Sequence, residues 1–236
     1  MISFYAAANL ARAAYESGAS SQTTQVSYHA DTDTRAVVTF DKKNQRLLVS
    51  FRGTYSLRNW FRVNFRFSSR DGCHKGVAEA IDYHAMVVQK WVESTPWSNM
   101  IIVGHSLGGA LANELARRMW DLNFRNLLIV TFGAVRAHTK SVVQESSLGG
   151  LTVRVVNNND LVSRILGWSF DHIGRVLYFD RKGRWHHKMP WWLKLWDALA
   201  GRLRNPGFDV ISDHDMDEYV ELCENIDLTV SEYLES

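Results

Sequence analysis

The stretch Met100–Ala112, Met-Ile-Ile-Val-Gly-His-Ser-Leu-Gly-Gly-Ala-Leu-Ala, constrains this chain more than any other. Ile101 to Val103 is short, apolar and β-branched, as a buried strand requires. Behind it, Ala110, Leu111, Leu115, Ala116 and Met119 recur at helical spacing. Between the two lies Gly104-His105-Ser106-Leu107-Gly108, a G-x-S-x-G pattern. Two glycines and a serine at this spacing arise by chance in about one protein in ten of this size, given roughly 7% usage of each residue. The flanking strand and helix lift it above chance. They predict a strained turn that exposes the Ser106 hydroxyl as a nucleophile, with small residues letting strand and helix approach. The helix start then offers free N–H groups to a developing oxyanion.

A serine hydroxyl needs a base to take its proton, and that base needs a partner to fix its tautomer. Downstream of Ser106 the histidines are His138, His172, His186, His187 and His214. His214 is best placed, beyond the last sheet element and at the start of a helix. His172 precedes a strand, and His186-His187 belongs to a basic, exposed run. Among acids, Asp160 ends a buried strand in an Asn-Asn-Asn-Asp turn, whereas Asp171 and Asp180 read as surface turn residues. Spacing alone favours His214 and Asp160 and leaves the others open.

The rest of the chain supplies a frame for that site. Its 236 residues, 46% hydrophobic with three prolines, fit one α/β domain over 1–236. A net charge of +2 gives no footing for nucleic acid. Phe4, Ala7, Ala8, Ala11 and Tyr15 fall on one side of an amphipathic first helix. The same stretch lacks the basic and apolar regions of a signal peptide, and no apolar run is long enough to cross a bilayer. The expected location is therefore cytoplasmic, with export by a signal-peptide-independent route left open. Cys73 and Cys223 are no disulfide framework, and neither belongs to a metal-ligand cluster by spacing.

Ser17 to Thr34 reads as a polar surface connection. Arg35–Phe40 and Arg46–Phe51 alternate and form a hairpin. Val77–Glu93 is helical, and Leu127–Phe132, Leu151–Val156 and Arg175–Asp180 are further strands. Strands alternating with helices imply a mainly parallel sheet with helices on both faces. Its sites lie at the carboxyl ends of strands, where Ser106 and Asp160 both fall. In Leu57–Phe67, Leu57, Trp60, Phe61 and Phe65 alternate with arginines. A helix opened by Pro190 places Trp192, Leu195, Trp196, Leu199 and Leu203 on one face. Ser212-Asp213 caps a last helix from His214, with Met216, Tyr219, Val220 and Cys223 facing in.

Taken in order, these motifs resemble the class 3 lipase family of α/β-hydrolases, over roughly Tyr15 to Tyr219. Phe51-Arg-Gly-Thr54 looks like the family's oxyanion loop, and Ser56-Leu-Arg-Asn-Trp60 resembles the start of its lid. His74-Lys-Gly76 follows, then the Gly104–Gly108 elbow. Asn157-Asn-Asn-Asp160-Leu-Val is similar to its acid motif, His172-Ile-Gly to its histidine-glycine motif, and Asp213-His214 with Tyr219 to its terminal motif. Val135 and Ser163 stand where the family usually has proline, and Asn64 where aspartate is common. The resemblance implies an α/β-hydrolase fold and a Ser106–Asp160–His214 triad, with the N–H groups of Thr54 and Leu107 as oxyanion donors. It also implies a lid carrying Leu57, Trp60 and Phe61. The Trp192–Trp196 face reads as core packing, the commoner case for such a stripe, or as a second lipid-facing surface, since tryptophan with lysine suits an interface. The implied activity is hydrolysis of lipid esters without metal or organic cofactor, at a peripheral lipid or membrane surface. The alternatives are a phospholipase A or galactolipase of the same mechanism, or a non-catalytic lipid-surface binder. With the fungal members' disulfides and signal peptide missing, the chain reads as a bacterial-type member.

Overall fold

The strand entering Ser106 is apolar on both faces, so it must be covered on both. Met100 and Ile102 pack into one buried cluster, Ile101 and Val103 into another. The computed structural model describes residues 1–16, 18, 20–53, 68–158, 160, 162, 169–188 and 214–236. Helix α1 (Phe4–Ala13) precedes strands β1 (Thr24–His29), β2 (Thr34–Asp41) and β3 (Arg46–Arg52). A small hairpin, β4 (Ser69–Arg70) and β5 (Cys73–His74), leads into α2 (Lys75–Ser94). Then come β6 (Asn99–His105), α3 (Leu107–Asp121), β7 (Leu127–Phe132), α4 (Lys140–Glu145) and β8 (Thr152–Asn157). Strands β9 (Arg175–Phe179) and β10 (Trp185–His186) and helices α5 (Met216–Glu224) and α6 (Val230–Glu235) complete the described elements.

Among the described residues, eight strands form one sheet in the order β1-β2-β3-β6-β7-β8-β9-β10. The run from β3 to β9 is parallel, while the β1–β2, β2–β3 and β9–β10 pairs are antiparallel. This is the α/β-hydrolase fold, a mixed and mostly parallel sheet flanked by helices. On one face α2 and α3 bury Val77, Ile81, Leu111 and Leu115 against Leu47, Val49, Met100 and Ile102. On the other, α1, α5 and α6 bury Phe4, Ala8, Tyr219, Val220 and Tyr233 against Val103, Phe132, Val155 and Leu177. The buried faces of α1 and α5 are those expected from spacing, but Tyr15 lies beyond α1, and α5 starts at Met216, capped by Asp215 through the Asp217 N–H, instead of at His214.

Two further expectations change. The polar stretch before Thr34 contains edge strand β1 instead of a plain surface connection. Its inward residue is Ser27, whose Oγ meets Nδ1 of buried His84 at 2.7 Å, while Thr34 Oγ1 meets Nε2 at 3.0 Å. Polar residues face a polar partner there, so hydrophobic alternation is missing. Burial accordingly lowers the His84 pKa to about 4. Asp180 is no surface turn residue: it is buried and holds the β9–β10 turn through the Lys182 and Arg184 N–H groups and the Arg184 guanidinium. Those donors outweigh burial and bring its carboxyl down to about 2. Cys73 and Cys223 are free, buried in the clusters on opposite faces of the sheet. The expected segments Leu57–Phe67 and Pro190–Arg204, with Leu57, Trp60, Phe61, Trp192 and Trp196, lie outside the described residues.

Candidate active site

Ser106 adopts φ 60° and ψ −128°, a strained conformation for a residue with a side chain. The turn closes because both motif glycines lack a Cβ. A methyl at Gly104 would overlap the Gly108 carbonyl, and one at Gly108 would overlap the Phe51 carbonyl on β3. The Ser106 N–H donates to Phe132 O at 2.9 Å, joining the elbow to β7. Its carbonyl accepts from the Gly109 N–H at 3.0 Å and the Val135 N–H at 3.4 Å. A proline in place of Val135 would have no N–H for this bond. The hydroxyl does not cap α3; it is buried without a hydrogen-bond partner among the described residues.

Asp160 follows β8, fully buried. Its Oδ2 accepts from His214 Nδ1 at 2.9 Å and from the Tyr219 hydroxyl at 2.6 Å; its Oδ1 accepts from the Val162 N–H at 2.9 Å. Tyr219 in turn accepts from the Asn157 N–H at 3.1 Å, tying α5 to the end of β8. A carboxylate only accepts, so His214 carries its proton on Nδ1 and turns a bare Nε2 outward. That Nε2 is buried and unpartnered among the described residues, as is Ser106 Oγ. Gly133 makes the convergence possible: at φ +52°, a methyl there would stand 2.9 Å from His214 Nδ1 and 3.0 Å from the Tyr219 oxygen. The pair chosen from spacing, Asp160 with His214, is thus brought together.

Leu107 is the first residue of α3, whose first amides have no acceptor within the helix. A Cβ on Gly53 would stand 3.0 Å from Leu107 N and from Ser106 Cβ, so the loop leading to Thr54 crosses directly over the elbow. Buried Arg52 braces that loop, donating to Gly53 O at 3.1 Å and pairing with Asp33 at 2.7 Å. Thr54 itself lies outside the described residues.

Of the competing candidates, His186 meets Asp180 at 3.2 Å and His187 stacks on Tyr233; the backbone N–H of His172 donates to Asp171 Oδ1. His138 is buried against Glu114 at 3.2 Å. Spacing gave no metal-ligand role to Cys73, yet ligand atoms of Cys73, Glu114 and His138 lie within 4.8 Å of one another. The Glu114 carboxylate there already receives Arg117, through Nε and Nη2, as well as Arg118 and His138, and this donor set suits a structural ion cluster. A cavity of about 710 Å³ bordered by Arg46, Asn99, Arg125 and Leu151 sits at the opposite ends of the strands and takes no part in the site. Sequence reasoning missed Gly133, Tyr15 and His105. Of these only His105 carried a signal, its place inside the G-x-S-x-G pattern.

An α/β-hydrolase sheet with a strained serine at the end of β6 and an Asp–His pair beyond β8 defines the class. Residues 48–170 match the family Lipase (class 3), and the chain belongs to that family. The match contains Ser106 and Asp160 and stops before His214. The chain is 29% identical over 145 residues to a secreted mono- and diacylglycerol lipase of Fusarium solani, covering 55% of this chain and 42% of that protein. It is 24% identical over 154 residues to a secreted mono- and diacylglycerol lipase of Penicillium cyclopium, covering 60% and 50%. The solved lipase II of Rhizopus niveus superposes with TM-score 0.57 at 25% identity, covering 65% of this chain and 64% of that one. The chain spans about half the length, or less, of the curated relatives it matches. These relatives are fungal, which corrects the bacterial-type reading; nothing in the shared motifs encodes lineage. Relatives named as secreted likewise overturn the cytoplasmic location, for which composition offered no physical basis.

Proposed function

We propose that this chain is a serine hydrolase of lipid carboxylic esters, working as one domain over 1–236, with Ser106, His214 and Asp160 as its triad. The observation that carries the reading is the pairing of His214 Nδ1 with Asp160, which leaves Nε2 without a partner among the described residues, as the Ser106 hydroxyl is too. Ser106 Oγ attacks the ester carbonyl as His214 Nε2 takes its proton. Asp160 stabilises the imidazolium that forms. The Leu107 N–H at the start of α3, with that of Thr54, holds the oxyanion; one such donor contributes about 3–4 kcal/mol. His214 then protonates the departing alcohol, and a water molecule, activated by the same Nε2, releases the carboxylic acid. No step in this scheme calls on a metal or cofactor.

The substrate class we favour is neutral glyceride esters at a lipid surface, since the Fusarium and Penicillium relatives are named for mono- and diacylglycerols. The test is turnover of a soluble short-chain ester and of emulsified mono-, di- and triacylglycerol, with fluorophosphonate labelling. Ser106→Ala should abolish labelling and lower turnover by as much as 10⁶-fold. Labelling that survives in Ser106→Ala overturns the nucleophile. Turnover of phospholipid above every glyceride overturns the substrate class.

A further inference from the structure

The residue before the nucleophile is itself a histidine, buried and at hydrogen-bond distance from two groups far away in sequence. His105 Nε2 lies 2.8 Å from the backbone carbonyl of His214. Its Nδ1 lies 2.6 Å from the Tyr15 hydroxyl, two residues past the end of α1. A carbonyl can only accept, so Nε2 carries the ring proton and Nδ1 must accept from Tyr15 O–H. The two bonds therefore define one neutral tautomer of His105. Its ring also lies against that of His214, with centroids 4.6 Å apart at 33°, and 5.9 Å from that of Tyr219.

His214 sits in the turn before α5 and is not part of a regular element. Asp160 restrains its ring from one side. Nothing in that bond fixes the backbone from which the ring hangs. His105 supplies a further restraint, because it is the last residue of β6, a strand buried on both faces, and is covalently adjacent to Ser106. It thereby ties the nucleophile's own strand to the base's backbone.

We propose that Tyr15 and His105 form a positioning relay for the base: Tyr15 sets the tautomer of His105, and His105 holds the His214 backbone in register with Ser106. This rests on the hydrolase reading given above. Neutrality of His105 is part of the device, since a second imidazolium against the His214 ring would oppose the charge that forms there in the reaction. Burial, and the proximity of His214, hold the His105 pKa well below the ordinary histidine range, which suits that requirement.

The test uses Tyr15→Phe, His105→Gln and His105→Leu in the full chain. Each is measured for kcat and KM on a soluble ester, for thermal midpoint and for histidine nitrogen shifts by NMR. Gln places an N–H donor where Nε2 stands, and Leu places none. His105→Leu should lower kcat by about 10²-fold, the scale of a misplaced reacting group, with KM within about twofold. His105→Gln should recover most of that loss, and Tyr15→Phe should lower kcat by roughly tenfold. In wild type, His105 should show a protonated Nε2 and an unprotonated Nδ1. Tyr15→Phe, which keeps the ring and its packing, decides the matter should His105→Leu prove unfolded. The proposal is overturned by Tyr15→Phe with unchanged kcat, by equal losses in His105→Gln and His105→Leu, or by an Nδ1–H tautomer. Failure of the hydrolase reading is distinguishable, because wild type would then turn over no ester and leave Ser106 unlabelled. The NMR arm still reads the tautomer in that case.

Discussion

Two buried carboxylate–histidine pairs lie in this domain, one of them carried by the elbow helix itself. One is Asp160 with His214 at 2.9 Å, the other Glu114 with His138 at 3.2 Å. They differ in what else reaches the carboxylate. Glu114 receives two guanidiniums as well as the imidazole, and those arginines extend the network to Asp82 and Asp121. Asp160 receives a tyrosine hydroxyl and a backbone N–H, and His214 keeps a bare Nε2. The saturated pair is suited to holding α3 against the loop after β7. The Asp160 pair leaves one proton-accepting ring nitrogen, His214 Nε2, without a partner among the described residues. Buried polar groups are normally satisfied; His214 Nε2 and Ser106 Oγ are among several exceptions in the described residues, and what sets them apart is the Asp160 partner on the other ring nitrogen and the strained serine turn.

Isosteric substitutions at the two carboxylates should break the comparison in opposite ways. Asp160→Asn should lower turnover on the order of 10⁴-fold, the loss expected of a wrong tautomer, with little change in thermal midpoint. Glu114→Gln should cost about 3 kcal/mol of stability, the low end for a broken buried ion pair, because Arg117 and Arg118 keep their aspartates. Its turnover per folded molecule should stay near wild type. Denaturant melts and active-site titration on both variants check this, and a turnover loss shared equally would erase the distinction.

Acid should sharpen it. Burial works against the Glu114 carboxylate, but hydrogen bonds and charge from His138 and Arg117 prevail and hold its pKa well below the ordinary range. A depressed acid stabilises the fold above its unfolded pKa, near 4.3, and loses that stabilisation as pH falls through the folded value. Stability of wild type should therefore fall steeply below about pH 4.3, and Glu114→Gln should flatten that limb. Denaturant midpoints from pH 5 to pH 3 are the measurement; parallel curves would remove Glu114 from the account.

The smallest effect concerns the lipid-facing reading of the tryptophans. Joint replacement of Trp192 and Trp196 by alanine should weaken adsorption to anionic vesicles several-fold, since indoles anchor at headgroup depth. Soluble-ester turnover should persist. A proportional loss of soluble-ester activity, or unfolding, would make that segment core.

The sequence by itself determined the elbow, because its signals are local. The Ile101–Val103 run, two obligatory glycines and a helical repeat sit within a few residues, and each states its own geometry. It also determined the β2–β3 hairpin and the faces of α1 and α5, where periodicity reports burial directly. Edge strand β1 escaped because Ser27 faces His84, so no apolar alternation marks it. Asp180 was misread because a buried turn acid looks like an exposed one until its donors are in place. Lineage and compartment escaped because no residue contact encodes them. Spacing already favoured His214 over His138; tertiary structure added that His214 Nε2 is buried without a partner among the described residues, while His138 Nε2 meets Glu114. Tertiary structure alone brought the Tyr15 hydroxyl to 2.6 Å from His105 across 90 positions of sequence, and Gly133 against the Asp160 carboxylate. Contacts between residues distant in sequence depend on how the sheet is ordered and covered, and no local pattern carries that information.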